Sequence, residues 1–131
     1  MQINEIMNKE LYLIDSNATI MDACKRLYRK KIGSLIVVDK GVLIGIITER
    51  DIISRVVILD KDPKVTKVED IMSKEVITID QNKTVEEASK IMSQHNIKKL
   101  PVTSETGGLV GIITTSDVSR VLSEYQKLAM Q

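Results

Sequence analysis

The chain repeats itself, and that repeat limits what it can fold into more than any other feature. Residues 6–15 read IMNKELYLID and residues 71–80 read IMSKEVITID. Further along, LIGIITERD (43–51) returns as LVGIITTSD (109–117). Setting 6–40 on 71–105 and 41–51 on 107–117, with Thr106 as a one-residue insertion, gives 20 identities in 46 aligned pairs. Each copy is one structural unit, and polar residues on which the copies agree mark candidate functional positions.

The composition narrows what such units can do. The 131 residues include no Phe and no Trp, and Tyr only at 12, 28 and 125. The core is therefore aliphatic, which disfavours single-strand nucleic-acid platforms built on aromatic stacking. The net charge of +1 calls for neither a nucleic-acid nor a membrane partner. No apolar run approaches the ~20 residues of a membrane span. The polar start, MQINEIMNKE, has no secretory pattern, and the single Cys24 cannot form an intrachain disulfide. Both point to the cytoplasm.

Copy 1 spans 1–59, a charged Pro-containing linker (DKDPKVTKVE) spans 60–69, and copy 2 spans 70–131. In copy 1 a helical turn at Ile3–Met7 precedes an extended piece at Leu11–Ile14. Thr19 caps a helix over 20–31, stopped by Gly33. Strands at Leu35–Val38 and Val42–Thr48 flank an Asp39-Lys40-Gly41 turn, and a last helix starts near Glu49. Copy 2 repeats this order with Val76–Ile79 extended, Thr84 as a cap, strands at Leu100–Thr103 and Leu109–Thr114, and a final helix near 117–130. Each copy is β-α-β-β-α, in the α/β (α+β) class, and leaves one sheet face to be covered by its twin. DIISRVVIL (51–59) has six aliphatics in nine residues. A helix apolar on two sides implies further packing, as in a homodimer.

Two polar patterns agree between copies: Gly45-Ile-Ile-Thr48-x-x-Asp51 and Gly111-Ile-Ile-Thr114-x-x-Asp117. Thr followed three residues later by an acid resembles a capping box. The same geometry suits a ligand. A helix N-terminus favours anions, Thr can bond a phosphate or sugar oxygen, and an Asp carboxylate suits a ribose 2′,3′-diol. Both readings stand at this point, since Thr can cap while Asp faces a ligand.

The tandem β-α-β-β-α order, the openings Glu5-Ile6-Met7 and Asp70-Ile71-Met72, the Leu100-Pro101-Val102 strand and the two G-h-h-T-x-x-D ends resemble the cystathionine-β-synthase (CBS) domain pair, or Bateman module. The resemblance covers roughly 3–125. It implies two repeats packed sheet to sheet about a pseudo-twofold axis, with clefts that take AMP, ADP, ATP, S-adenosylmethionine or NAD-type ligands. It implies a regulatory role in place of catalysis, and a stand-alone pair. By the same resemblance Asp51 and Asp117 hold ribose hydroxyls, Thr48 and Thr114 sit by the sugar or α-phosphate, and Ser116 adds a hydroxyl. Lys98 and Lys99, before the Leu-Pro strand, match phosphate-binding basic positions. The adenine walls would be Tyr12, Leu13 and Ile14 for the Asp117 cleft, and Val76, Ile77 and Thr78 for the Asp51 cleft.

The copies also differ. Gly33-Ser34 replaces Lys98-Lys99, and Glu49-Arg50 replaces Thr115-Ser116. Arg50 could contact a phosphate, but Glu49 opposes one, so the Asp117 cleft is expected to be the stronger phosphate site. A ligand-free dimerisation scaffold is the alternative function. Arg26–Lys31 reads as a solvated helix end, with a cleft mouth, a nucleic-acid contact or a partner contact as its other uses. His95 reads as structural or exposed, with a phosphate contact as its other use, and Cys24 as core. One His and one Cys cannot build a zinc site, and no nucleophile–base pair is available, so neither metal, cofactor nor catalysis is expected.

Overall fold

In the computed structural model, which describes residues 1–130, the backbone follows the duplicated order. The first half contains β1 (Leu13–Asp15), α1 (Ile20–Lys30), β2 (Ser34–Asp39), β3 (Val42–Thr48) and α2 (Glu49–Ile52), which runs on as a π-helical turn over Ile53–Val57. A short α3 (Val68–Ile71) follows. The second half contains β4 (Ile79–Asp80), α4 (Val85–Gln94), β5 (Lys99–Thr103), β6 (Leu109–Thr114) and α5 (Thr115–Ala129). A 3-10 turn at Ile3–Glu5 opens the chain.

Two compact units result: Tyr12–Val76, and Met1–Leu11 together with the chain from Ile77 onward. Each holds a three-stranded sheet, ordered β1-β2-β3 or β4-β5-β6, with the first pair parallel and the second antiparallel. The register breaks at equivalent places, Val37/Val38 and Val102/Thr103. The aliphatic cores also correspond. Ile14, Ile20, Ala23, Leu27, Leu35, Val37, Ile47 and Ile52 of the first match Ile79, Val85, Ala88, Met92, Leu100, Val102, Ile113 and Val118 of the second. Burying each of the larger side chains contributes roughly 1.5–3 kcal/mol before chain entropy is counted.

The units are not the sequence repeats laid end to end. Ile3, fully buried, packs in the second core, while its counterpart Val68, also fully buried, packs in the first. Each opening segment then runs along the last strand of its unit. Asn8 exchanges two 2.9 Å backbone hydrogen bonds with Ile112, and Ser73 exchanges bonds of 2.9 and 3.0 Å with Ile46. These bonds occupy strand edges that would otherwise be open. The close approach explains the glycines of the repeated motif. A Cβ on Gly45 would lie 2.9 Å from Met72 Cγ and from the Ser73 carbonyl, and one on Gly111 would lie 2.7 Å from Met7 Sδ.

Several local expectations change. Lys31, at φ 56°, ends α1 in the left-handed region, two residues before Gly33. Its N–H bonds the Tyr28 carbonyl. The segment at 60–69 is not a free linker, because Pro63 and Thr66 carbonyls accept from the Met21 and Ile20 N–H groups. The strands begin later than the apolar pattern suggests, at Leu13 and Ile79, so Val76, Ile77 and Thr78 precede β4. The Asp39-Lys40-Gly41 turn does form, with positive φ at Lys40 (49°) and Gly41 (79°) as a two-residue hairpin requires.

The last helices diverge. After Asp51 the first copy reads Ile-Ile-Ser-Arg-Val, and after Asp117 the second reads Val-Ser-Arg-Val. The first thus carries one extra residue, Ile53. The π turn absorbs it: Ile58 N–H bonds the Ile53 carbonyl, and Lys61 N–H the Val56 carbonyl, both at 2.9 Å and both five residues back. The Ser-Arg-Val that follows stays in phase, so Val56 and Val121 are both buried.

Candidate functional site

The shared Thr and Asp lie where each third strand meets its helix. In the first unit, Thr48 N–H donates to Asp51 Oδ2 at 3.0 Å, and Asp51 N–H donates to Thr48 Oγ1 at 3.1 Å. In the second, the matching bonds between Thr114 and Asp117 are 3.0 and 3.2 Å. Both are complete capping boxes. Capping alone does not single them out, since Thr19 and Asp22 form another at α1. The difference lies in burial and in the second oxygen. Asp22 is exposed, whereas the Asp51 and Asp117 side chains are only 15% and 17% exposed.

One carboxylate oxygen in each pair, Oδ2, is committed to the backbone. The other, Oδ1, faces a guanidinium: Arg55 Nη2 at 3.9 Å from Asp51 and Arg120 Nη2 at 3.5 Å from Asp117. The two arginines are the residues that sequence reading missed. Their signal was the Ser-Arg-Val repeat, which aligns only once Ile53 is set aside as an insertion. Each Thr hydroxyl accepts the Asp N–H and keeps its own proton for a further acceptor. The pair therefore offers one acceptor oxygen and one hydroxyl donor side by side.

The remaining candidates divide by unit. Thr48, Arg50 and Asp51 lie within one turn in the first unit, with Arg50 exposed. Tyr12, Leu13 and Ile14 share that unit. Tyr12 is half-buried, its carbonyl accepting from Ile36 N–H at 3.0 Å, and Leu13 accepts from the Arg26 guanidinium. Ile14, 5% exposed, is a core residue. Thr114, Ser116 and Asp117 lie together in the second unit, with Ser116 exposed. Ile77 packs against the second core, Thr78 is exposed, and Val76 belongs to the first unit.

The adjacent lysines separate, because Lys98 lies in the bend before β5 whereas Lys99 is its first residue. Lys99 pairs in register with Thr114 and so shares its face. Lys98, whose carbonyl accepts from Thr115 N–H at 3.0 Å, lines a pocket of about 380 Å³ with Ser89, Ser93, Thr115 and Ser119. In the first unit Ser34 pairs with Thr48 at the place Lys99 holds in the second.

Other titratable groups stand apart from these pairs. Hydrogen bonds from Thr19 backbone and side chain hold the exposed Asp22 carboxyl below its ordinary 3.8, and partial burial pushes the Cys24 thiol up. His95 is the exposed C-cap of α4. Lys25, Arg26, Arg29 and Lys30 share a depression with Asp15 and Asp22, so the basic helix end is partly neutralised. Among the described residues no cluster of His, Cys, Asp or Glu could hold a metal, and no helix is long and apolar enough to cross a membrane.

A family model described as CBS domain matches residues 3–58 and again 68–124. An uncharacterized protein of Methanopyrus kandleri is 34% identical over 120 residues, 91% of this chain, which spans 61% of that protein's length. A protein with CBS domains from Burkholderia ambifaria MC40-6 superposes with a TM-score of 0.84 at 30% identity, covering 93% of both chains. The CBS domain pair of protein MJ0100 superposes with a TM-score of 0.82 at 33% identity, covering 95% of this chain and 98% of that one. Its crystal structure is of a complex with 5′-methylthioadenosine and S-adenosyl-L-methionine.

Proposed function

The chain belongs to the CBS domain family as a tandem pair, and from that premise we propose that it is a regulatory module that binds an adenosine-containing ligand and catalyses nothing. The observation that carries this reading is the duplicated Thr–Asp pair, mostly buried, with one carboxylate oxygen fixed on the backbone and the other facing only an arginine side chain. Such an oxygen accepts from a ribose hydroxyl, and the neighbouring Thr hydroxyl donates to a sugar or phosphate oxygen. The adenosine-type ligands of the MJ0100 pair support the class. AMP, ADP, ATP, S-adenosylmethionine and NAD-type molecules all present the required diol.

Asp117 is the side that favours a phosphate. Lys99 shares the face of Thr114 there, whereas Ser34 occupies that place beside Thr48, where Glu49 follows. The apolar residues at the ends of the two units support a homodimer: Ile53, Val57, Ile58 and Leu59 in one, Leu122, Tyr125 and Leu128 in the other, all at least half exposed.

Isothermal titration with AMP and ATP tests the assignment on Asp117→Asn and Asp51→Asn. The amide oxygen still caps the helix, while an NH₂ replaces the outward acceptor. Asp117→Asn should weaken AMP about tenfold or more, and Asp51→Asn less. Equal losses, or none at Asp117, overturn the ranking. A ligand at 100 times its dissociation constant stabilises the fold by ~2.7 kcal/mol. No thermal shift with any adenosine compound would favour the dimerisation scaffold.

A further inference from the structure

Arg55 does more than face Asp51. Its Nη1 donates to the Ile71 carbonyl at 2.7 Å and approaches the Met72 carbonyl at 3.4 Å, while Nη2 lies 3.9 Å from Asp51 Oδ1. One guanidinium therefore spans from the outward oxygen of the candidate ribose acceptor to the C-terminal carbonyls of α3. Arg120 holds the same phase beside Asp117, but among the described residues its partner is that carboxylate alone.

Three features make this span a device and not an incidental cap. The π turn takes up the inserted Ile53 while Arg55, four residues on from Asp51, stays on the face of that carboxylate, as Arg120 does three residues on from Asp117. The segment it grips is tied to the sheet: Met72 packs over Gly45, and Ser73 exchanges backbone hydrogen bonds with Ile46. The two contacts are also unequal, a short bond to Ile71 and a loose one to Asp51, so the carboxylate end is the one a ligand can take.

We infer that Arg55 is a latch that competes with a ligand hydroxyl for Asp51 Oδ1 and reports the outcome to the Ile71–Ser73 segment. The inference rests on the adenosine reading of Asp51. A hydroxyl that donates into Oδ1 displaces Nη2, and a guanidinium that loses its counter-charge loosens its hold on the α3 carbonyls. Linkage makes the effect reciprocal: removing the latch removes a competitor, so binding at Asp51 tightens.

Residue-resolved amide exchange with adenosine as the probe tests this. In the wild-type chain, saturating adenosine should speed exchange at Met72 and Ser73 about two- to fivefold, the scale of an exposed ion pair. Arg55→Ala should exchange fast there with or without adenosine, and should bind it more tightly by a similar factor. Arg55→Lys, which keeps the charge but cannot hold both ends, should fall between and serves if the alanine variant does not fold. Arg120→Ala should retain the wild-type response. Adenosine binding that Asp51→Asn weakens, with exchange at Met72 and Ser73 unmoved by adenosine in the wild type, overturns the latch alone, as does weaker binding by Arg55→Ala. No adenosine binding by the wild-type chain overturns the ligand reading and the latch together.

Discussion

The two units share a sheet, a core and a capping box, yet they treat the residue after the box differently. In the second, α5 continues for 15 residues as a regular helix. In the first, α2 gives way after four residues to a π turn that takes up Ile53. The added side chain is left 55% exposed, while Val56 stays 1% exposed in the core. The fold thus bends its hydrogen bonding to keep Arg55 and Val56 in phase. What must be conserved between the units is the angular position of Arg and Val about the helix, and not the helix itself.

The largest test of the likeness acts on the motif glycines. Gly45→Ala and Gly111→Ala should each destabilise their unit by about 1–3 kcal/mol, because a methyl group meets Met72 or Met7 and a backbone carbonyl beside it. Combining Gly45→Ala with Met72→Ala should recover part of the loss in denaturant titrations. A simple sum of the two losses would show that the methionine is not what the glycine accommodates. A smaller effect is expected from deleting Ile53. The π turn should revert to α, with stability changed by no more than about 1 kcal/mol, because an exposed residue is lost and Ser-Arg-Val keeps its register. A loss of several kcal/mol would mean that the π turn itself is required.

The smallest effect concerns α1, where the first unit alone has a complete Thr–Asp box opening its first long helix. The Asp22 carboxyl titrates lower folded than unfolded. Its contribution is therefore present above the unfolded pKa and lost as pH falls through the folded one. Asp22→Ala should lower thermal stability slightly near neutral pH and converge on the wild type at low pH, so that the acid limb flattens. Thr84→Ala, whose partner Glu87 shows no returning side-chain bond, should leave the acid limb as it is.

Much of this was legible because it is local. Thr19, Thr84, Thr48 and Thr114 each announce a helix start through chemistry three residues away, and Lys40-Gly41 announces a hairpin through its own backbone. The apolar spacing of Ile20, Ala23 and Leu27 marks one buried face. What escaped depends on partners distant in sequence. Gly45 reads as part of a strand motif until Met72 lies against it. The opening segments read as part of the repeat they begin, because nothing within Ile3–Met7 reveals that Lys83 and Gln81 will accept its N–H groups. Arg55 was hidden by a single inserted residue, which shifts the alignment just where the two copies agree. Lys98 and Lys99 look interchangeable in a string and diverge only once Lys99 opens a strand opposite Thr114 and Lys98 stays in the bend before it.

The exchanged opening segments have a consequence for how the chain can be cut. The first unit is one continuous stretch, Tyr12–Val76, and carries its own edge segment. The second is split between the two ends of the chain and becomes continuous only if those ends are joined. A circular permutant that begins at Tyr12, with the old termini linked, therefore encodes the two units one after the other, each with its own edge segment. A fragment cut at the repeat boundary instead leaves each half with a segment that belongs to the other and a strand edge that nothing covers.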